Sequence, residues 1–215
     1  MQFGILAGND YINKRIYKLL SEIHPADVAS FVRKFLSESD EQCFHTYREL
    51  ILGSHLRSQG SNWRYEQKIG RQTPDWVVRD SDDQVIEIVD VYTLHQRRET
   101  DVQISKGLSF RGSWAGWVTI PPNHLFSKIQ QKVNAYTKLI EKLGVPYVVA
   151  VFGEFTASVE PEEVHHVVNE LHGGVFHETP TLAGVIFFRE RSGDYEFSYF
   201  ANPRAAHSSQ LALQG

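Results

Sequence analysis

The chain has 215 residues, a formal net charge of −4 and 41% hydrophobic residues, a composition typical of a folded globular protein. Its single cysteine, Cys43, excludes an intramolecular disulfide and a zinc site of several cysteines. No apolar run reaches the ~18 residues of a membrane span, no basic leader opens the chain, and the acidic balance excludes nucleic-acid binding by bulk charge alone. We therefore expect one cytoplasmic domain without a membrane span.

The first third of the chain has the apolar spacing of amphipathic helices. Helices are predicted over residues 10–37, interrupted at Pro25, and over residues 42–58, ended by the Gly60-Ser61-Asn62 segment. An acidic, serine-rich segment connects them. Residues 1–41 are thus predicted to form an N-terminal helical extension, and residues 42–152 the core.

The middle of the chain changes to the pattern of extended structure. Strands are predicted at 63–69, 76–79 and 85–93, and the polar residues 80–83 are typical of the turn of a hairpin between the last two strands. Residues 95–124 follow no regular period and predict a long, partly ordered insertion. An insertion of this length is usually functional or mobile.

The last third of the chain returns to alternating helices and strands. A helix is predicted at 125–143, closed by Gly144, followed by a buried strand at 147–152 and a helix at 161–171. Two strands at 182–189 and 195–200 complete a region of additional elements at 153–201, and residues 202–215 are expected to be a flexible tail. This order predicts a single α/β domain with a mixed sheet.

Two acidic residues flank the predicted hairpin. If the hairpin turns about Ser81, Asp75 faces Glu87 with Cβ atoms about 4.5–5.5 Å apart. Like charges at that distance are destabilising without a cation between them, and Mg²⁺ accepts carboxylate oxygens while it keeps several waters. Glu87 also lies in a β-branched run, where a buried charge needs a partner or a metal. The alternative interpretation is a solvated pair beside an ordinary hairpin.

These residues resemble the motif of a known family. Pro74-Asp75, eleven intervening residues and then Glu87-x-Val89 are similar to the motif of the restriction-endonuclease-like PD-(D/E)XK nuclease superfamily. The resemblance covers about residues 42–152. It implies a mixed β-sheet flanked by helices, and a metal-dependent DNA nuclease that uses Mg²⁺, with Mn²⁺ as a substitute.

The resemblance extends to the helix before the hairpin. The segment Phe44-x-x-Tyr47-x-Glu49-Leu50 is similar to the family's first helix, whose glutamate reaches the metal. The neighbouring Gly53 allows close approach of this helix to the sheet, and Glu49 either points inward or is solvated. The metal ligands that the resemblance implies are Asp75, Glu87, Glu49 and the main-chain carbonyl of Ile88.

The family's usual lysine, two residues after the second acid, is replaced by Val89. Some branches of the family supply this cation from the following helix. On that helix Lys132 lies about 50° from the centre of the apolar stripe and Lys128 about 90°. Lys132 is therefore the preferred replacement to assist the attacking water. A lysine that merely covers the edge of a buried face is an equally weighted alternative.

The partner that the resemblance implies is DNA. Candidate phosphate contacts are the insertion's basic residues and one lysine of the following helix: Arg97, Arg98, Lys106, Arg111 and Lys128. A homodimer is possible, because such nucleases often cut both strands as dimers. The substitution at Val89 favours a different interpretation, a catalytically inactive nuclease-fold protein that binds DNA or a protein partner.

Overall fold

The computed structural model describes residues 10–37, 40–94, 120–153, 159–191 and 193–211. Among these residues the helices are α1 Asp10–Glu22, α2 Pro25–Ser37, α3 Asp40–Ser58, α4 Pro122–Leu143, α5 Pro161–Asn169 and α6 Val175–Glu178, and a 3₁₀ turn lies at Leu171–Gly173. The strands are β1 Trp63–Tyr65, β2 Trp76–Arg79, β3 Val85–Leu94, β4 Tyr147–Gly153, β5 Leu182–Arg191 and β6 Asp194–Ala201. No helix among these residues is both long and apolar enough to cross a membrane.

The six strands form one mixed sheet in the order β1-β2-β3-β4-β5-β6. Strands β3, β4 and β5 run parallel, and the outer pairs are antiparallel. The parallel step from β3 to β4 passes through α4, as a parallel pair requires a crossover. The predicted fold class, an α/β fold with a mixed sheet flanked by helices, is confirmed.

The sheet separates two hydrophobic cores. One core joins α1, α2 and α3 to the sheet and includes Phe31, Leu52 and Trp76. The other joins α4, α5 and α6 to the opposite face and includes Ile129 and Val167. Every residue of β4 is buried, as expected of a central strand covered on both faces. Because side chains of α1 and α2 lie in the same hydrophobic core as those of α3, these two helices pack directly on the rest of the fold.

The β2–β3 hairpin has a different register from the one that its turn residues predict. Residues 80–83 do form the turn, but the pairs beside it are Arg79 with Val85 and then Val78 with Glu87. Strand β3 therefore carries an extra residue, Ile86, at a β-bulge. A shift of one residue moves the side chains of a strand to the opposite face of the sheet.

The turn and the bulge together overturn the predicted pairing of Asp75 with Glu87: the pair of Arg79 with Val85 already lies two residues from the predicted register, and the bulge adds a third. Beyond it Trp76 pairs with Val89, so Asp75 comes to lie opposite Asp90. The backbone N–H of Asp75 donates to Asp90 Oδ1 at 3.1 Å. Glu87, three residues earlier on β3, points to the opposite face of the sheet.

The segment after β6 contacts the body of the protein. Asn202 is buried, and the N–H of Ala206 donates to the carbonyl of Pro180 at 2.8 Å. The hydroxyl of Ser209 donates to Glu87 on β3. Polar groups of residues 202–211 thus find partners on the body of the protein, and the flexible tail over residues 202–215 stays a prediction.

Two further bounds differ from the sequence analysis. Strand β1 ends at Tyr65, well before the predicted residue 69, because Glu66 adopts a left-handed backbone with φ 46° that leaves the extended region. Helix α4 begins at Pro122, three residues before the predicted start, since proline is well tolerated in the first turn of a helix.

Candidate functional site

A pair of carboxylates, Asp75 and Asp90, lies where β2 begins beside β3. Two reciprocal contacts fix the pair: the N–H of Asp75 donates to Asp90 Oδ1 at 3.1 Å, and the N–H of Val91 donates to Asp75 Oδ2 at 2.7 Å. Both acids are therefore held by backbone groups of the neighbouring strand. Their mutual position is a property of the sheet and does not depend on a flexible loop.

The electrostatic surroundings of Asp75 favour a proton or a cation. Burial of its carboxyl group raises its pKa well above the usual value, and the charges of Asp90 and Glu49 raise it further. The ammonium of Lys132 and the N–H of Val91 act in the opposite direction. Three acidic groups thus act on one another here, with Lys132 as a partial counter-charge.

Asp90 is surrounded by donors from α4 and β4. It is 1% exposed, and its Oδ2 accepts a hydrogen bond from the hydroxyl of Tyr147 at 3.1 Å. Tyr136 also hydrogen-bonds to Asp90, and its ring stacks on that of Tyr147 with centroids 5.3 Å apart. Lys132, one helical turn before Tyr136, places its Nζ 4.0 Å from Asp90 Oδ2. These contacts orient the carboxylate and partly neutralise it.

Glu49 reaches the same region from α3. Its carboxylate accepts a hydrogen bond from the hydroxyl of Tyr65 and lies 3.7 Å from Lys34 Nζ. Its side chain is 17% exposed, so it is turned into the protein and not freely solvated. The main-chain carbonyl of Glu49 accepts a hydrogen bond from Nε1 of Trp76 at 3.1 Å. The residue after Asp75 thus ties α3 to the site.

Close packing makes this link possible. Gly53, one turn after Glu49, lies against the indole of Trp76, and a Cβ at Gly53 would fall 1.9 Å from Trp76 Cζ2. The predicted close approach of the helix to the sheet at Gly53 is confirmed. Only a residue without a side chain leaves room for the tryptophan that follows Asp75 on β2.

Glu87 lies away from this site, on the opposite face of the sheet. It is 4% exposed and accepts hydrogen bonds from the Ser209 hydroxyl and the backbone N–H of Gln210. Burial raises the pKa of Glu87 to about 7, and these two hydrogen bonds partly offset the increase. The family resemblance implies the main-chain carbonyl of Ile88 as a further ligand. Ile88 lies inside the sheet, paired with both Val77 and Tyr147.

The other predicted residues fall into two groups. Val89 is fully buried in the core beneath α3, and Lys128 Nζ donates to Gln131 Oε1 at 3.2 Å on the surface of α4. The remaining candidates for DNA contacts lie outside the described residues: Arg97, Arg98, Lys106 and Arg111.

The sequence analysis missed two residues of this site. Asp90 stands in the same β-branched run as Glu87, and its burial was foreseeable, but its pairing with Asp75 depends on a bulge that no turn residue indicates. Lys34 belongs to a helix that resembles no part of the family motif. The only signal for it is its position on α2, one residue before the buried Phe35.

The donor set at the carboxylate pair fits a hard divalent cation that retains water. Within the described residues, no three His, Cys, Asp or Glu side chains converge closely enough to hold a metal by themselves. Mg²⁺ is usually held by one or two carboxylates, with waters and substrate phosphates as its other ligands. Asp75 and Asp90 match that pattern, and Glu49 is a further acid whose charge acts on Asp75.

Comparisons with known proteins give one likeness of low similarity. No protein family and no curated protein matches the chain. Among solved structures, Pyrococcus furiosus SfsA in complex with Ca²⁺ matches with 11% sequence identity and a TM-score of 0.35. The match covers 75% of this chain and 63% of the SfsA chain, so this chain spans less than two thirds of SfsA's length. A likeness of this size carries no inference about activity.

Proposed function

We propose that this chain is a metal-dependent DNA nuclease whose site is built on Asp75 and Asp90. The observation that supports it is the pair of buried carboxylates fixed by reciprocal backbone hydrogen bonds, with the ammonium of Lys132 4.0 Å from Asp90. Two acids on adjacent strands with a nearby lysine are the groups that metal-assisted phosphodiester hydrolysis needs. The choice of DNA as the substrate depends on the family resemblance.

The proposal replaces one residue of the predicted ligand set. Asp90 takes the place of Glu87 as the second acid, and Asp75 keeps its place. A bound Mg²⁺ would polarise the phosphate and lower the pKa of a coordinated water. Asp75 and Asp90 would hold that ion, and the hydroxyls of Tyr136 and Tyr147 would keep the Asp90 carboxylate in one orientation.

Lys132 supplies the cation that the motif position lacks. With Asp90 as the second acid, the position two residues later is Tyr92, so the motif lysine is missing in this register as well. Lys132 reaches the acids from α4 and would help to orient the attacking water and offset charge on the transition state. Glu49 would complete or orient the metal shell from α3.

Cleavage of DNA in the presence of Mg²⁺ or Mn²⁺ tests the proposal. Wild-type protein is expected to cut plasmid or single-stranded DNA, and Asp75→Asn, Asp90→Asn and Lys132→Met are each expected to lower the rate at least about a hundredfold, the scale of losing one transition-state-stabilising group. Glu87→Gln is the matched control. It changes a buried acid of the same strand on the opposite face and is expected to cut like wild type.

Two results would contradict the proposal in different ways. Loss of activity in Glu87→Gln, with full activity in Asp90→Asn, would restore Glu87 as the second acid. Absence of cleavage by the wild type on every DNA form with either metal, combined with retained DNA binding, would favour the inactive nuclease-fold protein that Val89 suggests.

A further inference from the structure

Lys34 of α2 lies at the centre of a cluster of polar side chains beside the carboxylate pair. Its Nζ is 2.6 Å from the hydroxyl of Tyr65, 2.7 Å from Glu66 Oε1 and 3.7 Å from Glu49 Oε2. The same Tyr65 hydroxyl donates to Glu49. Two carboxylates from different elements therefore share one ammonium, whose side chain is only 21% exposed.

The backbone supports this arrangement at a cost. Glu66 has a left-handed conformation with φ 46°, which a residue with a side chain rarely adopts. The N–H of Glu66 donates to the carbonyl of Asp75 at 2.9 Å. The turn after β1 thus brings the Glu66 carboxylate to Lys34, while the backbone of Glu66 contacts Asp75 of the proposed site.

A second set of polar contacts, made by Asp27, holds α2 against β1. Asp27, near the start of α2, is 3% exposed and pairs with Arg64 at 3.0 Å, and it accepts the N–H of Tyr65 at 3.0 Å. The ring of Tyr65 stacks on Phe31 with centroids 4.0 Å apart. Lys34 is therefore held by a docked helix, and its position beside Glu49 does not depend on a mobile side chain alone.

We propose that Lys34 competes with a divalent cation for the carboxylate of Glu49, so that α2 limits how tightly the site holds metal. The inference depends on the proposed metal site at Asp75 and Asp90. Without metal, Glu49 is held by Lys34 and Tyr65. Loading the site requires Glu49 to weaken its contact with Lys34, while Glu66 retains the ammonium.

The charges define what each residue does in this exchange. Glu49 serves either Lys34 or the cation, so the two positive charges compete for one carboxylate. Glu66, 2.7 Å from Lys34 Nζ, keeps the ammonium paired during this exchange, which makes release of Glu49 less costly. Lys34 is thus a positioning residue that acts through Glu49.

Calorimetric titration of the full chain with Mn²⁺ tests the inference. Lys34→Met is expected to bind Mn²⁺ about tenfold more tightly than wild type, within the usual range of coupling between neighbouring sites. Lys34→Arg keeps the charge and is expected to bind like wild type. Lys142→Met, an exposed lysine ten residues beyond Lys132 on α4, controls for the change in net charge.

A double-mutant cycle separates competition from simple repulsion. In a Glu49→Gln background, Lys34→Met is expected to leave Mn²⁺ affinity nearly unchanged, because the shared carboxylate is gone. If the tenfold gain persists there, through-space repulsion explains it and competition for Glu49 is refuted. Without metal, Lys34→Met is expected to melt at a lower temperature than wild type. Addition of Mn²⁺ is expected to raise the melting temperature of Lys34→Met by more than it raises that of wild type.

The same titration distinguishes failure of this inference from failure of the proposed function. Absence of Mn²⁺ binding by the wild type, or binding that Asp75→Asn does not reduce, would overturn both. Binding that depends on Asp75 but is unchanged or weaker in Lys34→Met would overturn only the role of Lys34. Should Lys34→Met fail to fold, Glu66→Gln provides the second variant. Without the Glu66 carboxylate, Lys34 pairs with Glu49 alone, so Mn²⁺ binding is expected to weaken. Unchanged binding would contradict the inference.

Discussion

Asp75 and Glu87 are both buried acids with raised pKa values, but only one of them adjoins other charges. Burial is the largest cause of the increase in each case. At Asp75 the charges of Asp90 and Glu49 add to it, whereas Glu87 has hydroxyl and backbone donors as partners. A raised pKa alone therefore does not distinguish a site residue from a structural one. The neighbouring charges do.

The raised pKa of Asp75 predicts that metal affinity depends on pH. A cation must displace the proton that the carboxyl group holds, so Mn²⁺ affinity is expected to keep rising with pH through and above the usual titration range of an aspartate. Calorimetric titration across that range measures it. Asp82→Asn, an exposed acid in the hairpin turn, is expected to retain the wild-type profile, and a flat wild-type profile would contradict the prediction.

Glu87 predicts a different effect, on stability. Its pKa is about 7 in the folded protein against a model-peptide value of 4.5, so its contribution is fully present below about pH 4.5 and is lost as the pH rises to about 7. Glu87→Gln lacks this loss, so above pH 7 its free energy of unfolding is expected to exceed that of wild type by on the order of 3 kcal/mol. Near pH 4 the two proteins are expected to be similarly stable. Urea unfolding at several pH values checks the difference. Parallel profiles for the two proteins would contradict it.

At the scale of elements, the contact between α3 and β2 positions the site. The helix reaches the strand because Gly53 has no side chain, and Trp76 in turn binds the carbonyl of Glu49. Trp76 is fully buried and directly follows Asp75. A change at this contact is therefore transmitted to both acids.

Gly53→Ala tests that contact. The added methyl group would overlap the indole of Trp76, so we expect a loss of about 1–3 kcal/mol in the free energy of unfolding, the usual cost of overpacking a core. Mn²⁺ affinity is expected to fall as well. Ser58→Ala, an exposed position at the end of the same helix, is expected to stay within about 0.5 kcal/mol of wild type. Equal stability of Gly53→Ala and wild type would show that the helix can move away.

At the scale of the whole molecule, α1 and α2 belong to the core, and α2 also reaches the candidate site. Phe31 and Phe35 of α2 are fully buried with Trp76, and Lys34 between them reaches Glu49. The division of the chain into an extension of residues 1–41 and a core of residues 42–152 stays a prediction about sequence regions. In the structure the two regions share one hydrophobic core.

Removal of residues 1–41 is expected to abolish cooperative unfolding. Without α1 and α2, one of the two cores loses its outer layer and a large apolar face is exposed. Near-ultraviolet circular dichroism and binding of a hydrophobic dye measure the loss, with the full chain as the reference. A truncated protein that unfolds cooperatively at the temperature of the full chain would show that the extension is dispensable.

Most of the elements were predictable from local pattern. The apolar spacing of α4, the break at Pro25 and the fully apolar run of β4 each reflect physical preferences of neighbouring residues, and the structure has these elements within a few residues of their expected bounds. Short features without a periodic pattern were not predictable. Helix α6 has only four residues, and the left-handed Glu66 that ends β1 early has no local signal.

The sequence by itself determined the fold class, the helices that flank the sheet and the position of Asp75 beside a hairpin, because these follow from periodicity and turn chemistry over short stretches. Only the tertiary structure decided which acid faces Asp75. One bulged residue, Ile86, exchanges the two faces of β3, so it selects Asp90 and sends Glu87 to the opposite core. Likewise only the packing of α2 brings Lys34 to Glu49, since contacts between distant segments leave no trace in local pattern.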